Sequence, residues 1–308
     1  MGSGWEKGTE SIVGGTVGLV VVGVDGSRSS LAAAEAAARE ARWRRAELRV
    51  VYALWPVITP GTVPTAAAPF GPPEGVLPDE VESALTEALH RAASVAPQVE
   101  ITHDVVAGEA LTVLEVQSRD ADLVVVGSRG RGGFVGMLLG STAVYLTAHG
   151  HCPVMVVRGE PDAAGPIVLG VDGSRAGEEA VDFAFAEAAL RGAEIVALHA
   201  WTPDNVPLPL APPQLADVPQ AGAVAENEER LLAQALAGRQ EKYPQVPVKH
   251  ELVLGVTHEA LIEASRTAQL VVVGARGRGG FTGLLLGSVS QALLQQAHCP
   301  VTVVRGRE

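Results

Sequence analysis

Cysteine is scarce in this sequence, since two of its 308 residues are cysteine. Cys152 and Cys299 each stand in the same short phrase, His-Cys-Pro, ahead of an apolar run. A secreted framework of disulfide bridges needs more cysteines than this. We therefore expect two buried free thiols and a reducing compartment.

Basic residues are too few to balance the acidic ones. The chain has 23 Lys and Arg against 35 Asp and Glu, which gives a formal net charge of −12. A surface of this sign repels a polyanion unless basic residues cluster locally. The charge balance therefore argues against nucleic acid as a partner.

Long apolar runs are missing as well. No run approaches the ~18 to 20 residues of a membrane span, and residues 1–18 lack the basic and apolar regions of a secretory signal. These absences predict a soluble cytoplasmic protein with no membrane partner. Residues 1–18 are expected to form a flexible leader.

The sequence does contain an internal repeat. Asp25 recurs as Asp172 and Cys152 as Cys299, each 147 residues later. Half of a 308-residue chain, in which 47% of residues are hydrophobic, can form its own core. The repeat predicts two domains, at 19–158 and 167–306, joined by a linker at 159–166 that is rich in glycine and proline.

Short apolar runs alternate with helical segments through both halves. The first half begins with the strand LVVVGV and an alanine-rich helix; later it has the strand ELRVVYAL and a helix for which Asp79 is the expected N-cap. Uniformly apolar strands that alternate with helices indicate parallel sheets covered on both faces. The predicted fold class is α/β, with two tandem Rossmann-like domains of five parallel strands each.

Two proline-rich stretches interrupt this pattern. Residues 55–78 hold seven prolines and residues 203–219 hold six. Proline prevents regular structure and also limits flexibility. We interpret these stretches as surface loops, with a semi-rigid flap over a ligand as the alternative.

The two halves agree most closely in a glycine-rich loop, LVVVGSRGRGGFVGMLLGS at 123–141 and LVVVGARGRGGFTGLLLGS at 270–288. A loop between a parallel strand and a helix presents backbone N–H groups to a crevice, where phosphate is the natural occupant. Gly127 and Gly130 would let the backbone approach an anion, and Ser141 would cap the helix and donate its hydroxyl. The alternative is a tight turn without a ligand.

Other glycine motifs fit less well. The loop lacks the lysine of a Walker-type phosphate site. Asp25 stands where a dinucleotide fingerprint has its second glycine. An arginine-glycine segment that binds RNA is disfavoured by the acidic composition.

The spacing Gly127-x2-Gly130-x9-Gly140-Ser141 resembles the G-2x-G-9x-G-[ST] signature of ATP-binding universal stress proteins, and it recurs in the second half. The resemblance covers nearly the whole chain and is closest to the two-domain actinobacterial members. It implies the strand order 3-2-1-4-5 in each domain. The first and fourth strands would then flank one crevice.

The resemblance also implies one ATP site per domain, with Mg²⁺ as the cation that would accompany ATP. The aspartates and the valines before them would face the ribose and adenine, the alanines would line the adenine pocket, and the glycine loops would hold the phosphates. The residues implied in the first domain are Val24, Asp25, Ala53, Gly127, Arg129, Gly130, Gly140, Ser141 and Thr142. Those implied in the second are Val171, Asp172, Ala200, Gly274, Arg276, Gly277, Gly287, Ser288 and Val289.

The motifs supply no catalytic group. Phosphoryl transfer needs a positioned base and metal-binding carboxylates, and no histidine pair has the spacing of metal ligands. We therefore assign no catalytic residue and no metal site. The resemblance implies a nucleotide-dependent regulatory protein of stress response or growth control. The alternatives are a slow ATPase or phosphotransferase using the same sites, and a partner-binding scaffold with vestigial sites.

The final strand of each half, VMVVR at 154–158 and VTVVR at 301–305, would lie at a sheet edge in the order 3-2-1-4-5. An exposed apolar edge invites aggregation unless another strand pairs with it. Single-domain members of the family pair their protomers through this strand. We therefore predict that the two domains of one chain pair through their final strands, and that a homodimer would use other surfaces.

Overall fold

The computed structural model describes residues 18–54, 78–131, 139–202, 221–277 and 286–306. The expected leader lies outside these ranges except for Gly18. The two proline-rich loops also lie outside them, except for Pro78.

The first half contains five strands and four helices among its described residues. Its elements are β1 (Leu19–Val24), α1 (Arg28–Arg44), β2 (Glu47–Leu54), α2 (Asp79–Val95), β3 (Ile101–Ala107), α3 (Ala110–Gln117), β4 (Leu123–Gly127), α4 (Ser141–His149) and β5 (Val154–Val157). Small buried residues on α1, such as Ala34 and Ala38, let this helix lie close to the sheet.

The second half repeats this order. Its elements are β6 (Ile167–Gly170), α5 (Glu178–Arg191), β7 (Ile195–Trp201), α6 (Ala221–Leu236), α7 (Arg239–Lys242), β8 (Val248–Leu254), α8 (Thr257–Ala264), β9 (Leu270–Gly274), α9 (Ser288–Gln296) and β10 (Val301–Val304). A short 3-10 turn, Arg175–Gly177, precedes α5 where α1 begins directly. The stretch between β5 and β6, where the linker is predicted, contains no helix or strand. The domain boundaries stay a prediction.

All ten described strands form one sheet, in the order β3-β2-β1-β4-β5-β10-β9-β6-β7-β8. Pairing is parallel within each half, which confirms the predicted fold class and the order 3-2-1-4-5. The final strands β5 and β10 pair in antiparallel fashion, with Val301 opposite Val156 and Val303 opposite Val154. The two domains therefore pair within one chain through these strands, as predicted.

Alternation along the strands divides the apolar residues between the two faces of the sheet. Val20 and Val22 lie on the face of the sheet that α1, α2, α5 and α6 cover. Val21 lies on the opposite face, which α3, α4, α8 and α9 cover. Each face of the sheet is therefore covered by helices. Among the described residues, no helix has both the length and the apolarity that a membrane crossing requires. The cytoplasmic location stays a prediction.

The two thiols differ in burial. Both cysteines are free, but only Cys299 is buried, and Cys152 is partly buried. Burial raises the pKa of each thiol to about 12. Both are therefore protonated and unreactive at neutral pH.

The structure corrects the expected helix caps. The N-cap of α2 is Pro78, and Asp79 is the first helical residue. Likewise Gly140 is the N-cap of α4, so Ser141 lies inside its first turn, and Gly287 precedes Ser288 in the same way. Negative charge in the first turn of α2 still interacts favourably with the helix dipole.

A ring of four buried charged side chains joins α1 to α5 at the domain interface. Glu40 and Arg44 contact Glu187 and Arg191, and each carboxylate pairs with both guanidinium groups. Their side chains are between 1% and 12% exposed. The two pairs are 147 residues apart, so the ring is its own image about the pseudo-twofold axis between the domains. We call these residues the charge ring.

The two carboxyls of the charge ring titrate as a coupled pair. Burial, followed by repulsion from Glu187, raises the pKa of Glu40 to about 7. Burial also acts to raise the pKa of Glu187, but Arg191 and Arg44 hold that pKa below its ordinary value. The two arginines therefore compensate the buried negative charge of the two carboxylates.

We predict that Arg44→Met destabilises the protein much more than Arg42→Met. Arg42 is exposed on the same helix, whereas removal of Arg44 leaves buried carboxylate charge uncompensated. The expected loss is about 3–5 kcal/mol of unfolding free energy for Arg44→Met and within about 0.5 kcal/mol for Arg42→Met. Urea denaturation at neutral pH measures both. Equal losses would contradict a stabilising role for the charge ring.

Candidate functional site

A cavity of about 590 Å³ opens at the carboxyl ends of the strands in the second domain. It lies where β6 has β7 on one side and β9 on the other, so the connections leave the sheet in opposite directions. Ligands of open α/β sheets bind at such a point. We call this space the second-domain cavity.

The second-domain cavity brings together every residue predicted for the second site. They come from the end of β6, the end of β7, the glycine loop after β9 and the start of α9. The lining includes Val171, Asp172, Ala200, Gly274, Arg276, Gly277, Gly287, Ser288 and Val289.

The aspartate turn has the same design in both halves. Asp25 Oδ1 accepts a hydrogen bond of 3.0 Å from the N–H of Ser27, and Asp172 Oδ1 accepts one of 2.9 Å from the N–H of Ser174. The glycine after each aspartate has a positive φ, +78° at Gly26 and +70° at Gly173, which favours glycine in this turn. Each turn thereby aims its carboxylate at the glycine loop.

Serine rather than aspartate caps the helical turn that follows, which is the start of α1 in the first half and the 3-10 turn before α5 in the second. Ser27 Oγ accepts from the N–H of Ser30 at 3.2 Å, and Ser174 Oγ accepts from the N–H of Gly177 at 3.2 Å. The cap is therefore supplied by the serine of the turn. Asp25 is left for another role.

That role includes holding the glycine loop. The backbone N–H of Arg131 donates to Asp25 Oδ2 at 2.7 Å. A Cβ at Gly130 would lie 2.8 Å from the same oxygen, and a Cβ at Gly277 would lie 2.7 Å from Asp172 Oδ2. The second glycine of the motif is therefore required by the carboxylate against which it packs.

Hydrogen bonds keep the Asp25 carboxylate ionised. Burial alone would raise its pKa, but hydrogen bonds from the Ser27 side chain and from the backbone N–H groups of Arg131 and Ser27 lower it below the ordinary value of 3.8.

The third glycine of the motif closes the loop onto its own beginning. The N–H of Gly140 donates to the carbonyl of Ser128 at 2.8 Å, and the N–H of Gly287 donates to the carbonyl of Ala275 at 2.8 Å. A Cβ at Gly140 would approach its neighbours no closer than 3.5 Å, which is ordinary contact. A Cβ at Gly140 is therefore compatible with the fold and would lie against the backbone at the start of the glycine loop.

In the first domain the described residues place the predicted groups around the same turn. The N–H of Arg129 donates to Ser29 Oγ at 3.3 Å, and Gly127 packs against the backbone of Ser29. Val24 ends β1 beside the end of β2, which carries Ala53. Ser141 and Thr142 begin α4. Residues 132–138 of this loop, and 278–285 of the second, lie outside the described ranges.

Among the residues of the second-domain cavity that sequence reasoning missed are two ionisable ones, His199 and Glu228. His199 Nδ1 lies 2.6 Å from the carbonyl oxygen of Val171, and its Nε2 lies 2.8 Å from Glu228 Oε2. The available signal was a break in the repeat next to the predicted Ala53 and Ala200, since Tyr52 stands 147 residues before His199. Within the described ranges, no three His, Cys, Asp or Glu side chains converge as a metal site.

Comparison with known proteins gives one consistent family. The family model described as "Universal stress protein family" matches residues 18–158 and 164–305. The chain is 40% identical over 304 residues to universal stress protein Rv1996 of Mycobacterium tuberculosis, covering 93% of this chain and 94% of that protein. It is 38% identical over 307 residues to a universal stress protein of Mycolicibacterium smegmatis, covering 94% and 97%.

A solved structure supports the fold alone. The crystal structure of a universal stress protein from Archaeoglobus fulgidus is similar with a TM-score of 0.62 and 17% sequence identity. The match covers 94% of this chain and 96% of that one.

We predict that Asp25→Asn loosens the first glycine loop. Loss of a hydrogen bond to a charged acceptor costs about 1.5–3 kcal/mol, so the amide of Arg131 should exchange faster with solvent. Because the folded pKa of Asp25 is lowered, its stabilising effect is present at neutral pH and is lost as pH falls through that pKa. Hydrogen exchange at neutral pH and urea denaturation from pH 7 to ~3 measure the two effects.

The control for this variant is Asp122→Asn, an aspartate outside the turn that accepts from the N–H of Leu19 at 2.9 Å. It should leave exchange at Arg131 unchanged. If Asp25→Asn also left that exchange unchanged, the carboxylate would not hold the loop.

Proposed function

The chain belongs to the universal stress protein family, in its tandem two-domain form, and on that basis we propose that each domain binds ATP. In this proposal the protein is a nucleotide-dependent regulator of stress response or growth control rather than an enzyme. The domains are those predicted from the repeat, 19–158 and 167–306.

The second-domain cavity carries the proposal. Its volume of about 590 Å³ falls within the range of about 300–1,000 Å³ typical of small-molecule sites. Apolar groups of Val171, Ala200 and Leu261 line it, which suits a purine base. Its glycine loop and the N-terminal turn of α9 suit phosphate, because backbone N–H groups and the helix dipole both favour an anion.

Carboxylate placement favours binding over phosphoryl transfer. Asp172 accepts from the backbone of its own turn, and Glu228 contacts His199. Both carboxylates that the described residues contribute to the cavity therefore already serve other groups. Mg²⁺ would be held mainly by phosphate oxygens and water, as is usual for this ion. A slow ATPase or phosphotransferase using the same sites is the alternative function.

The proposal extends to assembly. Since β5 and β10 already pair within the chain, a homodimer would form through other surfaces. A regulatory protein partner would respond to ATP occupancy of the two sites.

We predict that the wild-type protein binds two ATP molecules and that Gly140→Val and Gly287→Val each bind one. The added side chain at either position would crowd the backbone of its own glycine loop, which is proposed to hold phosphate. Isothermal titration calorimetry measures the stoichiometry, and circular dichroism checks the fold. Each variant serves as the control for the other.

Two results would contradict this assignment. If Gly140→Val kept two ATP molecules per chain, the loop would not hold phosphate. If the wild-type protein bound no ATP at millimolar concentration, the sites would be vestigial and the scaffold alternative would be favoured.

We also predict that ADP release from ATP and Mg²⁺ is no faster with the wild-type protein than with the double variant Gly140→Val/Gly287→Val. The reason is that the two carboxylates of the cavity are engaged by other groups. A coupled assay for ADP makes the comparison. Faster release by the wild-type protein would favour the ATPase alternative.

A further inference from the structure

The two candidate sites differ at the end of the second strand of each domain. β7 carries His199 at the position where β2 carries Tyr52. His199 is 5% exposed and lines the second-domain cavity, where it contacts Glu228 on α6. The second site therefore contains the pair His199 and Glu228, whereas the first site has Tyr52 at the position of His199.

Both ring nitrogens of His199 face hydrogen-bond acceptors. Nδ1 lies 2.6 Å from the carbonyl oxygen of Val171, and Nε2 lies 2.8 Å from Glu228 Oε2. A neutral imidazole has one N–H and can donate to only one of them. Both contacts are made when the ring is an imidazolium and Glu228 is a carboxylate, which gives a pair of zero net charge.

The pair links three parts of the cavity wall. His199 fixes the carbonyl of Val171, and Val171 is followed directly by Asp172, the carboxylate of the aspartate turn. Glu228 holds α6 against the end of β7, and its side chain is 21% exposed. A proton lost from the pair would remove one of the two hydrogen bonds and leave a negative charge on the wall.

Besides the pair, the charged side chains that line the cavity within the described ranges are Asp172 and Arg276. On β8, the residue opposite His199 is the apolar Leu252. Directly after β6, the neighbouring group is the carbonyl of Val171.

We propose that His199 and Glu228 form a positioning pair that makes nucleotide affinity at the second site depend on pH, whereas the first site lacks this dependence. The inference rests on the proposed ATP binding. When the pair holds its proton, the wall is neutral toward an anionic nucleotide and Val171 is held in place. When the proton leaves, the wall repels the nucleotide, so affinity at the second site falls as pH rises.

The test measures each site alone. Gly287→Val reports the first site and Gly140→Val reports the second, by calorimetric titration with ATP at pH 6.5 and 8.5. ATP itself changes protonation in this range, but this affects both sites alike, so the ratio of the two affinities is the readout. We expect the ratio of second-site to first-site affinity to fall by about 5-fold or more as pH rises.

His199→Tyr, made in the Gly140→Val protein, is the decisive variant because it copies the residue of the first domain. It should still bind ATP, with an affinity ratio that no longer changes with pH. Glu228→Gln should weaken the dependence between pH 6.5 and 8.5, since the ring then lacks the carboxylate that stabilises its proton. A ratio that depends on pH equally in the parent and in His199→Tyr would overturn the proposal.

A second measurement does not need ATP. The ¹⁵N chemical shifts of the His199 ring, assigned with His199→Tyr, distinguish an imidazolium from a neutral ring. An imidazolium at pH 6.5 supports the proposal, and a neutral ring at that pH overturns it even if ATP binds. If no variant or parent binds ATP but the ring is an imidazolium, then the proposed function fails, the inference falls with it, and the pair is structural.

Discussion

An unpaired apolar strand at the edge of each five-stranded sheet is the constraint on which this structure depends. The antiparallel pairing of β5 with β10 removes both edges at once and produces a single sheet of all ten described strands. Met155 lies opposite Thr302 at the centre of this pairing, and these two residues occupy equivalent positions in the repeat. The pairing therefore generates the pseudo-twofold axis. This axis sets how the helices of one domain meet those of the other.

The charge ring is a consequence of that axis. Each domain contributes one Glu and one Arg from equivalent helices, and the symmetry brings like elements together so that each acid meets both bases. Such a ring is costly to desolvate and is tolerated because all four members are paired. Its ion pairs require α1 and α5 to keep one relative position, so the ring discriminates against sliding of α1 along α5.

The same interface reaches the second candidate site through α9. Arg158, which follows β5 in the first domain, donates to the carbonyl of Leu293 at 3.1 Å near the carboxyl end of α9. A cation at this end of a helix interacts favourably with the helix dipole. The opposite end of α9 lines the second-domain cavity with Ser288 and Val289. One helix of the second domain thus has the neighbouring domain at one end and the candidate nucleotide site at the other.

The sequence by itself determined the features that depend on local pattern: two α/β domains, a parallel sheet in each, and glycine loops at equivalent positions. Apolar runs, helical segments and glycine spacing are read along the chain, so the repeat of 147 residues made them evident twice. The resemblance to a known family added the strand order and the choice of residues around the crevice. Tertiary structure decided what those residues contact. Asp25 holds the N–H of Arg131, 106 residues away, and Arg44 meets Glu187, 143 residues away. His199 meets Glu228 only because α6 packs over the end of β7. Contacts between such distant residues follow from how helices and strands pack, and a linear pattern carries no record of that packing.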